Sequence, residues 1–242
     1  MATERQLLEI SGIPVEIVRK NIKNLHLGVY PPNGRVRVAV PLRLSDEAVR
    51  LAIVSRLGWI RRKQTEFAKQ DRQSKREMIT GESHYFRGRR YRLDVVQYDG
   101  PAAVRLKNNR TLELLVRPDA NRDKREEVLN HWYRRMMQKQ VSALIAKRQP
   151  QIGVVVAEWH IKKMKTLWGS CNTGARRIWL NLELAKKPPS CLEYILVHEM
   201  IHLLKRRHNE GFIELMDHYM PNWQLYRDEL NRAPLAHADW KY

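Results

Sequence analysis

Alternation of apolar and polar positions, the period of a half-buried strand, dominates the first half of the chain. Residues 25–40, LHLGVYPPNGRVRVAV, hold two alternating runs around a Pro-Pro-Asn-Gly turn and predict a hairpin. HYFRGRRYRLDVVQYDG (84–100) and AAVRLKNNRTLELLVRP (102–118) predict further strands, with bends at Gly88 and at Asn108-Asn109. Between them the period changes. In LSDEAVRLAIVSRLGWIRRKQTEFAKQ (44–70), Val49, Ile53, Leu57 and Ile60 recur at helical spacing. Ser45 is placed to cap that helix, with Asp46 and Glu47 in its first turn.

After Pro118 the pattern is mainly helical. DKREEVLNHWYRRMMQKQVSALIAKRQP (123–150) sets Val128, Trp132, Met136, Val141 and Leu144 near one stripe and predicts a long helix stopped by Pro150. GVVVAEWHI (153–161) and RRIWLNLEL (176–184) predict strands. In the second, Ile178, Leu180, Leu182 and Leu184 alternate with Trp179, Asn181 and Glu183, so one face can pack on a helix while the strand edge stays open. WGSC, Trp168 to Cys171, predicts a turn before that strand. Ser190 and Glu193 have the spacing of a capping box and predict the start of another helix. No internal repeat or low-complexity tract is visible. The expectation is an α+β protein, a β-rich region over 1–118 followed by a compact core over 119–242.

The helix begun near Ser190 runs into VHEMIHLLKRRH (197–208), which is apolar on all sides yet carries His198, Glu199 and His202. A helix hydrophobic all round is buried, and burying two imidazoles and a carboxylate without partners costs several kcal/mol. A metal ion supplies the partner. Residues four apart lie on one helix face, so His198 and His202 can bind one ion. Glu199 beside them can take a proton from a water that the metal acidifies, which is the logic of H-E-x-x-H. A third protein ligand is needed if one position is to stay open. His208 leads, but in a continued helix it would lie about 9 Å further along the axis. The chain must therefore turn within LLKRR, where no glycine marks a bend. Glu214, Asp217 and His218 remain alternatives.

Composition narrows the remaining classes. The 242-residue chain carries 45 Lys and Arg against 26 Asp and Glu, a net charge of +19. Such a field favours polyanions and makes non-specific DNA or RNA binding a candidate partnership. No zinc-finger, helix-turn-helix or RNA-binding signature predicts base readout. Cys171 and Cys191 are too few for a disulfide framework and suit a reducing cytoplasm. The first residues lack the basic and apolar regions of a signal peptide, and no run reaches the ~18 apolar residues of a membrane span. Cys171 is read as a packing residue. His26, His84, His131, His160, His218 and His237 are read as ordinary histidines, with His218 kept as a candidate near the metal.

The stretch from Thr166 to Trp223 resembles the YgjP-like family of zinc metallopeptidases. The resemblance rests on WGSC, LNLEL, the proline before the helix, VHEMIHL, His208, Phe212 and MPNW (220–223). Weaker similarity extends upstream through GRVRVAVP, GWIRRKQ and GESHYFRGRRYRLDV. The resemblance implies His198, His202 and His208 as zinc ligands, Glu199 as the catalytic base and a zincin-like core. It also suggests kinship with SprT-like and WLM-type proteases, some of which act on proteins crosslinked to DNA. Asn209 and Ile213 stand where serine and tryptophan are common in the family. The expected function is zinc-dependent peptide hydrolysis on a polypeptide substrate, with Tyr219, His218, Arg206 and Arg207 as candidates to stabilise the oxyanion. The rivals are a nucleic-acid-binding module with a structural or vestigial zinc, and a zinc hydrolase of small amides.

Overall fold

In the computed structural model, residues 5–30, 33–69, 76–164 and 167–232 are described. The chain forms two compact units, Met1–Asp71 and Arg72–Tyr242. The first contains β1 (Arg5–Ile10), β2 (Ile13–Lys20), β3 (His26–Tyr30) and β4 (Arg35–Pro41) in the order β1-β2-β4-β3. The central pair β2 and β4 is parallel and the outer pairs are antiparallel. Alternation drives the core: Val36, Val38 and Val40 of β4 are fully buried, beside Val15 and Ile17 of β2. The expected hairpin is β3–β4, although Pro31 and Pro32 of its turn lie outside the described residues.

The helix expected over 44–70 is two helices, α1 (Asp46–Val54) and α2 (Leu57–Lys69). Ser45 caps α1 by accepting from the Ala48 N–H, as expected. At the break, the Ser55 hydroxyl and the Arg56 guanidinium both bond back to the Ala52 carbonyl, and Gly58, a weak helix former, follows. Val49, Ile53 and Ile60 complete this core.

The second unit begins with a sheet of the same wiring. β5 (Ser83–Phe86), β6 (Arg89–Gln97), β7 (Ala103–Leu106) and β8 (Thr111–Val116) take the order β5-β6-β8-β7, again with a parallel central pair. The bends at Gly88 and Asn108 fall where expected; the Asn108 side chain accepts from the N–H groups of Arg110 and Thr111. α3 (Arg122–Ile152) follows. One continuous core joins Leu93, Leu112 and Leu114 of this sheet to Leu129, Trp132 and Tyr133 of α3 and to the residues beyond. The compact units therefore divide at 71 and not at 118, where the sequence texture changes: the second sheet has its apolar partner in α3. Nor does Pro150 stop α3, which runs on to Ile152. A proline in the last turn costs one backbone bond, and Gly153 in the left-handed conformation ends the helix instead.

The third sheet comprises β9 (Glu158–Lys162), β10 (Gly169–Asn172) and β11 (Arg177–Asn181), in the order β10-β11-β9. Two expectations are corrected here. WGSC is not merely a turn, because Gly169 to Cys171 are the first three residues of β10. RRIWLNLEL is not an edge strand, because β11 is paired on both sides, antiparallel to β10 and parallel to β9. It also stops at Asn181, whose side chain accepts from Glu183 N–H and opens a 3-10 turn, Leu182–Lys186. The chain continues through α4 (Pro189–Ile201), α5 (Glu210–Tyr219) and α6 (Trp223–Arg232). No capping box starts α4. Pro189 at its first position has φ preset and no N–H to satisfy, and Glu193 pairs with Arg148 of α3 instead. Three small sheets and six helices thus make up the described residues, an α+β arrangement, and no helix among them is long and apolar enough to cross a membrane.

Candidate metal centre

Nine of the thirteen residues of α4 are buried, Glu199 among them. His198 and His202 lie one turn apart on one face, with Tyr194 a turn earlier. α4 ends at Ile201, and His202 is its C-cap. The turn that the sequence left unexplained needs no glycine and no left-handed residue. The N–H groups of Leu203 and Leu204 bond to the carbonyls of Met200 and Ile201, a tightened last turn. Asn209 then caps α5 by accepting from Phe212 N–H. His208, immediately before that cap, is thereby brought back to α4.

The ligand-capable atoms of His198, His202 and His208 lie within 4.8 Å of one another, a group that could hold a metal ion. The Nε2 atoms of His198 and His208 are 3.0 Å apart. His202 Nδ1 lies 3.2 Å from the Lys205 carbonyl oxygen, which can only accept, so Nδ1 carries the proton and Nε2 is left with its lone pair. Burial, with His202 and His208 nearby, pushes the His198 pKa down to about 3; burial also lowers that of His202. Neutral imidazole is the ligand form, and His198 Nδ1 is buried without a hydrogen-bond partner. This donor set fits a divalent ion such as zinc.

Phe212 forms the floor. Its ring centroid is 5.0, 4.9 and 4.7 Å from those of His198, His202 and His208. That role was not read from the sequence, although Phe212 stands three residues after the Asn209 cap, where a helix turns its side chain back. Glu199 is 5 % exposed, and burial pushes its carboxyl pKa up to about 8. Tyr194, also unforeseen, sets its ring edge-on to His198 at 5.9 Å and stacks on Trp223.

Other expectations sort themselves by location. Asp217 accepts hydrogen bonds from Trp223 and Gln224, and neither it, Glu214 nor His218 belongs to the histidine group. His218 and Tyr219 pack on each other at the end of α5, about 10 Å along its axis from Phe212. Arg206 and Arg207 are exposed. His84 is buried and bonded to Glu82, while His237 lies outside the described residues. Cys171 is half-buried; burial, then the nearby Glu199 charge, push its thiol up to about 11, which suits packing and not nucleophilic attack.

β10 packs against α4, with Gly169 beside Glu199. Asn181 N–H bonds to the Trp168 carbonyl, and antiparallel alternation then turns Ser170 and Asn172 toward β11 for hydrogen bonding. The backbone N–H and C=O groups of Gly169 and Cys171 point to the other side, where no described strand pairs with them.

A helix supplying two imidazoles one turn apart, a third returning from the next loop, and a buried glutamate beside them define a candidate metallohydrolase centre. A family model for the YgjP-like metallopeptidase domain matches residues 23–233, and the chain belongs to that family. No curated protein matches it. Membership makes it a metal-dependent hydrolase of the peptidase kind, with polypeptide as the implied substrate class.

Proposed function

We propose that the chain is a zinc peptidase in which His198, His202 and His208 hold the metal and Glu199 is the general base. The observation that carries this reading is the convergence of three imidazoles beside a buried carboxylate. Zinc, when bound, supplies a Lewis acid that polarises a carbonyl and acidifies water. Glu199 takes a proton from the attacking water and returns it to the leaving amine. Its burial-raised pKa favours the return step, and a cation held nearby draws it back toward the ionised form that the first step needs.

The zincin-like element is α4 packed on the small third sheet, with β10 as the open edge. An extended polypeptide pairs with the outward N–H and C=O groups of Gly169 and Cys171 and so brings a carbonyl toward the histidines. This geometry favours polypeptide over small amides. The free cysteines, Cys171 and Cys191, fit a reducing cytoplasm. The +19 charge supports a second reading, in which nucleic acid is held non-specifically while attached protein is cut.

The test is elemental analysis plus cleavage of unfolded and DNA-bound proteins by wild type and Glu199→Gln. About one zinc per chain is expected in both, with activity at least about 10²-fold lower in the variant. Equal activity in the two removes Glu199 as the base.

A further inference from the structure

Gly169 of β10 lies close against Glu199. A Cβ built on Gly169 would lie 2.6 Å from Glu199 Oε1, 2.8 Å from Glu199 Cγ and 2.8 Å from Ile195 Cγ2. Gly169 is not among the glycines with positive φ. Its backbone is one that alanine adopts freely, so only the neighbouring side chains exclude a methyl group there. Glycine in a strand otherwise weakens it.

The strand is also pinned and cannot retreat to make room. The Asn181 amide donates to the carbonyls of Met164 (2.9 Å) and Leu167 (2.8 Å), and its oxygen accepts from Met164 N–H (3.3 Å) and Glu183 N–H (3.2 Å). Asn181 N–H holds the Trp168 carbonyl at 2.9 Å, one residue before Gly169. Asn181 is itself buried. Between a pinned strand and a packed helix, the side chains left to yield are Glu199, whose carboxylate oxygen is nearest, and Ile195.

We infer that Gly169 is a positioning residue: its bare Cα lets β10 seat against Glu199 and fixes where that carboxylate stands. The inference deepens the peptidase reading and rests on Glu199 as the base. It also gives β10 two tasks, because the glycine that contacts Glu199 is one of the two residues whose backbone faces the open edge. Substrate pairing and base placement are thereby set by one segment.

The decisive experiment is a thermal double-mutant cycle on the full-length protein as purified. Gly169→Ala in the wild-type background should lower Tm by roughly 2–10 °C, the range for overpacking a buried site in a chain of this size. In a Glu199→Ala background, where the colliding atoms beyond Cβ are gone, the same change should cost less than half as much. Equal losses in both backgrounds, or relief by Ile195→Leu but not by Glu199→Ala, would overturn the inference. A second readout uses labelled casein with added zinc. Gly169→Ala should keep the bound metal and KM but lose at least tenfold in kcat. An unchanged kcat also overturns the inference. If wild type itself leaves casein uncut, the peptidase reading on that substrate fails, while the thermal cycle still decides whether Gly169 positions Glu199.

Discussion

Two of the sheets share one wiring, the third repeats most of it, and among the described residues the third alone leads into a candidate metal centre. In β1-β2-β4-β3 and in β5-β6-β8-β7, an antiparallel pair, a parallel central pair and a second antiparallel pair follow in order. β9, β11 and β10 repeat the last three positions, parallel and then antiparallel, without a counterpart of the first strand. Each sheet is followed by helix. The difference lies in how that helix is buried. α1 turns only Val49 and Ile53 fully inward, and its polar residues meet water. α4 buries nine of its thirteen residues, Glu199 among them, and leaves His198 Nδ1 without a hydrogen-bond partner. A recurring frame gains a candidate metal site where a polar set is loaded onto a mostly buried helix.

Removing a histidine breaks that contrast most severely. His208→Ala should lose most of the bound metal and, with it, metal-dependent proteolysis, as measured by elemental analysis and a chelator-reversed assay. Retention of metal in that variant, with loss in Glu214→Ala or His218→Ala, would transfer the third ligand to α5. By contrast Ile17→Ala, at a buried position in β2 of the first unit, should cost about 2–5 kcal/mol of stability and leave metal content per folded chain unchanged.

The next effect concerns charge. Arg61 and Arg62 are exposed on α2, and Arg89 and Arg90 at the start of β6. If nucleic acid contacts six or more such groups, DNA affinity should fall about 10³-fold between about 50 and 200 mM salt. Changing the four arginines to glutamine should flatten that dependence. Absent or salt-insensitive binding by wild type would leave the charge as a matter of solubility alone.

Phe212 sharpens the comparison within the site. Truncation to alanine should cost about 3–5 kcal/mol, read as a fall in Tm, because the ring is buried beneath all three imidazoles. Metal affinity should fall with it. An affinity equal to wild type in the folded variant would show that α4 and the Asn209 cap place the histidines without the floor.

The histidine spacing was legible because four-residue periodicity and a mostly apolar helix are properties of one short segment. The β3–β4 and β5–β6 bends were legible for the same reason, since turn chemistry is local. What the sequence hid is relational. An alternating strand such as β11 reads alike at an edge or in the middle of a sheet, because pairing depends on segments elsewhere. The recurrent wiring left no residue repeat, since strand order needs only alternation and turns, not shared identities. Gly169 stands within WGSC, but its use depends on Glu199, which lies 30 residues later in the chain.

The smallest expected effect tests how far a local signal can be trusted. Ser45 before α1 and Ser190 near the start of α4 carry similar capping patterns, and only Ser45 caps. Its hydroxyl accepts from Ala48 N–H, whereas Ser190 lies inside a helix begun by Pro189, with no side-chain cap. Ser45→Ala should therefore cost about 1 kcal/mol. Ser190→Ala should stay within about 0.5 kcal/mol of wild type, as alanine favours a helix interior and Glu193 is already engaged by Arg148. Thermal melts of the two variants decide the matter, provided both remain cooperative. Equal losses would mean that Ser190 caps α4 in solution and that the capping-box pattern had read that helix start correctly. Loss at Ser45 alone would assign the start of α4 to proline geometry, which fixes φ before any side chain is consulted.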